Sequence, residues 1–288
     1  MKDNMERAKI LIEALPYIKE YSGKILLVKY GGSAMTDENL KKDVMGDLVL
    51  LSLIGVKVVL VHGGGPEITE MLGKIGKKTE FVGGLRVTDA ETADVVQMVL
   101  AGKVNKSLVN LLQSLGGKAM GLSGADGGLI SAKQLDPALG YVGEIESINV
   151  QPVLDLLEGG YIPVISTVGY DADGNVYNIN ADTAAARIAG MLKAQSFINM
   201  TDTAGLLADE HDENTLISRI FVSEAQRLIK QGKLSGGMIP KVNCCIEAIR
   251  RGVKKVFIID GRVPHSIIIE TLTDAGMGTM FVSGEELL

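Results

Sequence analysis

Two lysines and an arginine stand beside glycine-rich turns in this 288-residue chain, and a set of alternating polar residues opens an alanine-rich stretch. Lys29 follows the apolar run Ile25-Leu26-Leu27-Val28 and precedes Tyr30-Gly31-Gly32-Ser33. Such a run is the pattern of a strand buried on both faces of a parallel sheet. Open α/β sheets bind ligands at the C-terminal ends of their strands, and glycines let a ligand reach backbone N–H groups. The chemistry offered there is anion binding, phosphate first. The alternative is a solvated lysine before an ordinary turn.

Two more glycine turns follow. Lys57 to Val61 is a second buried run, leading into His62-Gly63-Gly64-Gly65-Pro66. Pro66 suits the first position of a helix over Glu67 to Leu72, so backbone N–H groups would face an anion at a helix start. His62 reads as structural rather than catalytic. The third turn is Ser235-Gly236-Gly237-Met238-Ile239-Pro240-Lys241, entering a helix to Arg251. Lys241, just after a helix-starting proline, gains nothing from the helix dipole and makes sense beside an anion. No Walker GxxxxGK[ST] and no GxGxxG occurs. Arg86 stands before a helix boxed by Thr88 and Glu91 and could clamp a carboxylate; its competitor role is a surface pair with Asp89. Asn178, Asn180 and Asp182 share one face if their segment is extended. Otherwise they form a turn and an asparagine cap.

Together these residues fit phosphoryl transfer, which depends on positioning and on stabilising the charge of the moving group. Lys29 and Lys241 would flank that group, and Asp182 would hold both. A carboxylate acceptor is already ionised at neutral pH and needs no general base. Paired lysines would relieve the repulsion between two anions.

The elements that must position these groups alternate strand and helix, which predicts a mainly parallel sheet between helix layers. Met5 to Tyr21 reads as a helix kinked at Pro16, with Ala8, Leu11, Ile12, Leu15 and Ile18 on one face. It packs on its own domain or serves as an arm docking on another subunit. Thr36-Asp37 opens a helix that Gly55 stops, with Leu40, Val44, Leu48 and Leu51 inward. A long helix runs from Thr88 toward Gly116-Gly117. Leu129 to Ala132 and Tyr141 to Ile145 read as hairpin strands, Pro152 to Gly159 as a helix, and Ile162 to Ser166 as a buried strand. Asp171 to Asn175 is a turn and the boundary between two lobes. Ser196 to Met200 is a strand, and Ser223 with Gln226 boxes a helix. Val256 to Ile259 and Thr279 to Val282 are strands around a short helix, His265 to Thr273.

The formal charge of −6 gives no electrostatic footprint for nucleic acid. No apolar run reaches the length of a membrane span, and the N-terminus lacks a signal-peptide profile. Cys244 and Cys245 are the only cysteines, and three histidines lack ligand spacing, so a reduced cytoplasmic protein without a zinc site is expected.

In order, the five motifs Lys29–Ser33, His62–Pro66, Gly84-Leu85-Arg86-Val87-Thr88, Asn178-Ile179-Asn180-Ala181-Asp182 and Gly236–Lys241 resemble the amino acid kinase family. Within it they are most similar to the members that phosphorylate N-acetyl-L-glutamate. The likeness covers almost the whole chain. It implies an α/β fold, an open αβα sandwich with a central mainly parallel sheet. It implies three parts: an oligomerisation helix over 1–22, an acyl-substrate and dimerisation lobe over 23–170, and an ATP lobe over 171–288. It implies transfer of the ATP γ-phosphoryl to the side-chain carboxylate in arginine biosynthesis, with magnesium carried on the nucleotide phosphates.

By the same resemblance Lys29 and Lys241 stabilise the transition state and Asp182 orients them. Gly31, Gly32 and Gly64 face the phosphoryl oxygens. Gly64, Gly65, Arg86, Asn178 and Asn180 hold the substrate, and Thr201, Asp202, Gly237 and Met238 surround the nucleotide. The N-terminal helix is similar to that of the arginine-inhibited branch, whose arms interlace dimers into hexamers as trimers of dimers. Tyr17, His265, Glu270, Gly276 and Gly278 match its inhibitor site. The chain departs from that branch at Ser196 and Ala125, where lysines are usual, and at Asn199, in a normally apolar strand. Arg86 and Asn178 speak against a glutamate or carbamate kinase, and the intact Lys29, Lys241 and Asp182 against a non-catalytic arginine-sensing assembly protein.

Overall fold

A computed structural model of the chain describes residues 2–35, 37–209, 212–234 and 237–284. Thr36 of the expected helix start and Ser235-Gly236 of the third glycine turn lie outside the described residues. The strands in chain order are β1 Ile25–Tyr30, β2 Lys57–His62, β3 Phe81–Val82, β4 Leu85–Arg86, β5 Ala119–Leu122, β6 Ile130–Gln134, β7 Gly143–Ile148, β8 Ile162–Ser166, β9 Val168–Tyr170, β10 Val176–Asn178, β11 Ser196–Thr201, β12 Arg219–Phe221, β13 Lys255–Asp260 and β14 Thr279–Val282.

The buried run of β1 sits centrally, as its two-faced apolar pattern requires. It pairs in parallel with β2, Lys29 opposite Val61, and with β11, Lys29 opposite Asn199. The main sheet has the order β12-β14-β13-β11-β1-β2-β8-β5. Its pairings are parallel except where β14 runs against β13. Alternation along β1 divides the core. Leu27 faces a layer built by the helices Gln151–Glu158, Ala181–Met191 and Met238–Arg250. Leu26, Val28 and Tyr30 face the layer holding the helices Glu38–Leu53, Gly65–Lys74, Asn105–Ser114 and Ser266–Leu272. This is the expected sandwich. A second sheet, β10-β9-β6-β7, and the small β3–β4 hairpin lie beyond it.

Several expected boundaries are corrected. The helix after Arg86 begins at Ala90, capped by the Asp89 carboxylate on Thr92 N–H at 2.8 Å. Thr88 is buried and its hydroxyl donates to Arg86 O instead, and Glu91 pairs with Lys77, so neither boxes the helix. The long helix is interrupted by a π-helical segment, Met98–Val104, before Asn105–Ser114. The Ser223 box does not form: strand β12, unforeseen in the sequence, runs straight into the helix Val222–Lys230, with extended Phe221 at its cap. The helix bearing Lys241 starts at Met238 rather than at Pro240. The N-terminal segment divides into Lys2–Glu13 and Leu15–Tyr21, with Pro16 in the first turn of the second helix, where its missing N–H is harmless. Its first half leaves Ile10, Leu11 and Ile12 exposed, whereas Tyr17, Ile18 and Tyr21 pack on the core.

Candidate active site

Three parts of the chain meet at Asp182. Strand β1 brings Lys29, whose Nζ lies 2.8 Å from Asp182 Oδ1; the helix from Met238 brings Lys241, whose Nζ lies 3.7 Å from Oδ2. Asp182 itself sits in the first turn of the helix Ala181–Met191. Burial works against its charge, yet the two ammonium groups outweigh it and hold the carboxyl below the usual carboxylate range. Two cations on one anion leave one net positive charge on the clasp, of which Asp182 and Lys241 line the neighbouring cleft and the buried Lys29 does not. Gly31 makes room for this arrangement: a Cβ there would stand 3.1 Å from Lys29 Nζ.

The clasp borders a cleft of about 900 Å³, within the general size range of small-molecule sites. Asn180, Asp182, Asp202, Gly237 and Lys241 line it. It shares Gly84, Leu85, Val142 and Asn180 with a smaller cavity of about 160 Å³, which Gly64, Gly65, Arg86 and Asn178 also line. Asn178 at the end of β10 donates to Thr88 Oγ1 at 3.2 Å. Asn180 caps the next helix through Thr183 N–H at 3.0 Å. The asparagine cap therefore forms, and the three residues do not share one extended face: Asn178 lines the smaller cavity, Asp182 the larger one, and Asn180 both. Gly31, Gly32, Thr201 and Met238 do not line either cavity, although Thr201 donates to Asp202 Oδ1 at 3.1 Å.

Arg86 is buried and pairs with no carboxylate among the described residues. It donates to Gly65 O and Thr69 Oγ1 at 2.9 Å each and to Thr79 Oγ1 at 3.2 Å. Its guanidinium lies over the Phe81 ring, and burial lowers its pKa. Asp89, the competing partner, is taken by Lys77 at 2.7 Å. A buried guanidinium lining a cavity without its own acid is matched to an incoming anion.

Residues 24–260 match the model of the amino acid kinase family. The chain belongs to the amino acid kinase family. It is 56% identical over 280 residues to an acetylglutamate kinase from Brachyspira hyodysenteriae, covering 96% of this chain and 97% of that protein. It is 51% identical over 280 residues to an acetylglutamate kinase from Caldanaerobacter subterraneus, covering 96% and 94%. In fold it resembles an N-acetylglutamate synthase from Neisseria gonorrhoeae in complex with coenzyme A and N-acetyl-glutamate, with a TM-score of 0.85 at 24% identity. That match covers 96% of this chain and 63% of the synthase chain. A carbamate kinase from Giardia lamblia bound to AMP-PNP matches with a TM-score of 0.67 at 15% identity, covering 91% and 99%. The amino acid kinase fold is thus the one described above.

Elsewhere in this amino acid kinase, Tyr17, Glu270, Gly276 and Gly278 line a separate cavity of about 420 Å³ together with Lys255. His265 does not join them. It occupies the left-handed cap before Ser266, and its Nδ1 lies 2.7 Å from the buried Asp47 on another helix. Ser196 is buried with its hydroxyl 3.5 Å from Tyr21 Oη, in register with Lys255 on the neighbouring strand. Asn199 is buried with neither amide atom bonded.

Sequence reasoning missed Thr69 and Thr79 under Arg86, and Arg187, Cys244 and Glu247 in the large cleft. Arg187 bonds Ile145 O at 2.7 Å, a long-range contact that no local pattern signals. Burial pushes the Cys244 thiol up to about 11, so it stays protonated, and both cysteines are free.

Among the described residues no group of three or more His, Cys, Asp or Glu converges on a metal position. Among them, too, no helix is long and apolar enough to cross a membrane.

Proposed function

We propose that this chain transfers the γ-phosphoryl group of ATP to the side-chain carboxylate of N-acetyl-L-glutamate, giving N-acetyl-L-glutamyl 5-phosphate for arginine biosynthesis in the cytoplasm. The observation that carries the reading is the Lys29–Asp182–Lys241 clasp beside a cavity lined by an arginine that pairs with no carboxylate among the described residues. The substrate occupies the smaller cavity, its α-carboxylate on Arg86 and its remaining polar groups on Asn178, Asn180, Gly64 and Gly65. ATP enters the large cleft past Thr201, Asp202, Gly237 and Met238, with Mg2+ bound to its phosphates as part of the substrate. The lobes 23–170 and 171–288 serve the two substrates respectively.

The acceptor carboxylate attacks as the ion it already is at neutral pH, so no base is required. Lys29 and Lys241 offset the repulsion between acceptor and phosphoryl group and stabilise the negative charge on the equatorial oxygens. Gly31, Gly32 and Gly64 add backbone N–H donors. Asp182 keeps the two ammonium groups in place through the reaction. Its two oxygens are engaged by cations, and its depressed pKa keeps it ionised.

Regulation by arginine belongs to the same proposal. The cavity lined by Tyr17, Glu270, Gly276 and Gly278 takes the inhibitor, and the exposed apolar stripe of the N-terminal helix docks on a second copy, building a hexamer from dimers. Glu270 Oε2 accepts from Met277 N–H at 2.8 Å and Gly278 N–H at 3.1 Å, which ties the wall of that cavity to one helix.

The test is coupled ADP release with N-acetyl-L-glutamate, L-glutamate, carbamate, L-aspartate and UMP as acceptors. The reading requires N-acetyl-L-glutamate to be preferred; preference for another acceptor overturns it.

A further inference from the structure

The strand end before the second glycine turn carries a buried histidine with no role in the scheme above. His62 has no exposed surface, and its Nδ1 lies 2.8 Å from Gly63 O. Its Nε2 lies 3.1 Å from Nδ2 of Asn105, which is also fully buried. The surroundings of Asn105 fix its amide. Nδ2 also faces Val164 O at 2.9 Å and Leu122 O at 3.3 Å, and Lys106 Nζ donates to Oδ1 at 3.1 Å. The flipped amide would set oxygen against two carbonyl oxygens and NH2 against an ammonium.

Asn105 Nδ2 has two N–H donors to share among His62 Nε2, Val164 O and Leu122 O and cannot accept, so a proton on Nε2 would face another donor and Nε2 is the bare, accepting nitrogen. In a neutral imidazole the proton then resides on Nδ1, where it donates to Gly63 O. Burial, with the Lys106 charge nearby, holds His62 down to about 4, so the ring stays neutral at physiological pH.

The carbonyl of Gly63 and the N–H of Gly64 belong to one planar trans peptide and point in opposite directions. Fixing the first fixes the second. The same helical stretch supports the turn from below. Leu100 and Val104 of the π segment lie 2.6 and 3.3 Å from where a Cβ on Gly64 would stand. Space for the Asn105 amide is equally specific, since a Cβ on Gly121 would stand 1.9 Å from its Oδ1.

We infer that Lys106, Asn105 and His62 form a hydrogen-bonded relay that locks the Nδ1–H tautomer and so aims the Gly64 N–H at the transferring phosphoryl group. His62 and Asn105 are positioning residues. The aiming step rests on the phosphoryl-transfer reading of the cleft; the tautomer lock does not.

Two experiments test the relay. Long-range 15N NMR of the wild-type imidazole should show Nδ1 protonated and Nε2 bare from pH 5 to 9, as the held-down pKa requires. An Nε2–H signature, or titration inside that range, overturns the lock without reference to turnover. His62→Asn places its NH2 where Nδ1 stands and keeps a donor for Gly63 O; His62→Gln places its amide oxygen where Nε2 stands, keeps an acceptor for Asn105 and loses that donor. For folded variants kcat should stay within about tenfold of wild type for His62→Asn. It should fall about 100-fold for His62→Gln, as for a misplaced reacting group, with both KM values little changed. Equal losses in the two variants would reduce His62 to a packing residue. A wild type without N-acetyl-L-glutamate turnover would remove the aiming role, while the NMR result would still decide the lock.

Discussion

Asp182→Asn keeps the shape of the side chain and removes the one negative charge that Lys29 and Lys241 share. With the carboxylate the clasp carries a single net positive charge; without it, two ammonium groups face each other around a neutral amide. Removing one partner of a buried ion pair costs about 3–5 kcal/mol. Lys241 keeps 22% of its side chain exposed and can turn toward water, which places the expected loss near the lower end, about 3 kcal/mol. Turnover should fall by about 10²–10³, roughly 2.7–4 kcal/mol of barrier, as when a charge-stabilising donor is displaced. Nucleotide binding should not weaken, because two uncompensated cations attract phosphate more strongly than one. MgATP should therefore stabilise the variant more than the wild type. The carboxyl is held below its usual range in the fold. Its contribution is thus complete above the unfolded value, about pH 4, and is lost as pH falls through the folded value; the variant should lack that acid limb. Coupled ADP release and urea unfolding with and without MgATP measure all of this. A kcat within about threefold of wild type, against the 10²–10³ expected of such a donor, together with unchanged urea stability, would refute the clasp.

Four further outcomes follow from the same geometry. Lys241→Ala should lower kcat by several kcal/mol of barrier, of the order seen for lost electrostatic stabilisers, with a small effect on folding because the side chain is partly solvated. Arg86→Lys should raise the KM for N-acetyl-L-glutamate about 10- to 100-fold with kcat less affected, reflecting a lost charge-assisted, two-pronged contact; an unchanged KM removes Arg86 from the substrate site. Under the proposed regulation, deleting residues 1–21 should give dimers by light scattering and leave turnover insensitive to arginine; an unchanged mass contradicts the docking role of Ile10, Leu11 and Ile12. His265 is raised above its ordinary value by Asp47, with Asp43 also facing it. Its contribution to stability is therefore full below about pH 6.5 and lost as pH rises through the raised value. His265→Ala should flatten the change in urea midpoint between pH 6 and pH 9, and parallel curves for the two proteins would exclude the coupling.

The parts of the site that were legible in the sequence are those carried by strand ends. Lys29 could be placed because an unbroken apolar run fixes a central parallel strand, and such strands deliver their last residue to the ligand edge. Asp182 was legible at the start of an alanine-rich helix and Lys241 at a helix start after a glycine turn, although the start of the second helix was misplaced by two residues. Arg86 was ambiguous between clamp and surface pair. The three-dimensional course of Lys77, which occupies Asp89, removes the surface pair. The rest depended on contacts that leave no local trace. Strand β12 is three residues long and gains its identity from pairing with β14, some sixty residues later. The π segment interrupts the helical period just before Asn105, which is fully buried, and no local pattern in the sequence singled that residue out. Its partners, His62, Leu122 and Val164, come from three different strands. His265 was grouped with Tyr17, Glu270, Gly276 and Gly278 by resemblance to the arginine-inhibited branch, yet its backbone enters the left-handed region, its ring lies against Asp47, and it does not line the cavity those residues share.

The central claim is that two lysines from distant parts of the chain stabilise a phosphoryl group passing from ATP to a carboxylate, and its product is chemically distinctive. An acyl phosphate reacts with hydroxylamine to give a hydroxamate. Incubation with MgATP, hydroxylamine and N-acetyl-L-glutamate should yield N-acetylglutamyl hydroxamate in step with ADP, and Lys241→Ala should lower both together. ADP formed without hydroxamate, or hydroxamate formed equally well from L-glutamate, would contradict the account.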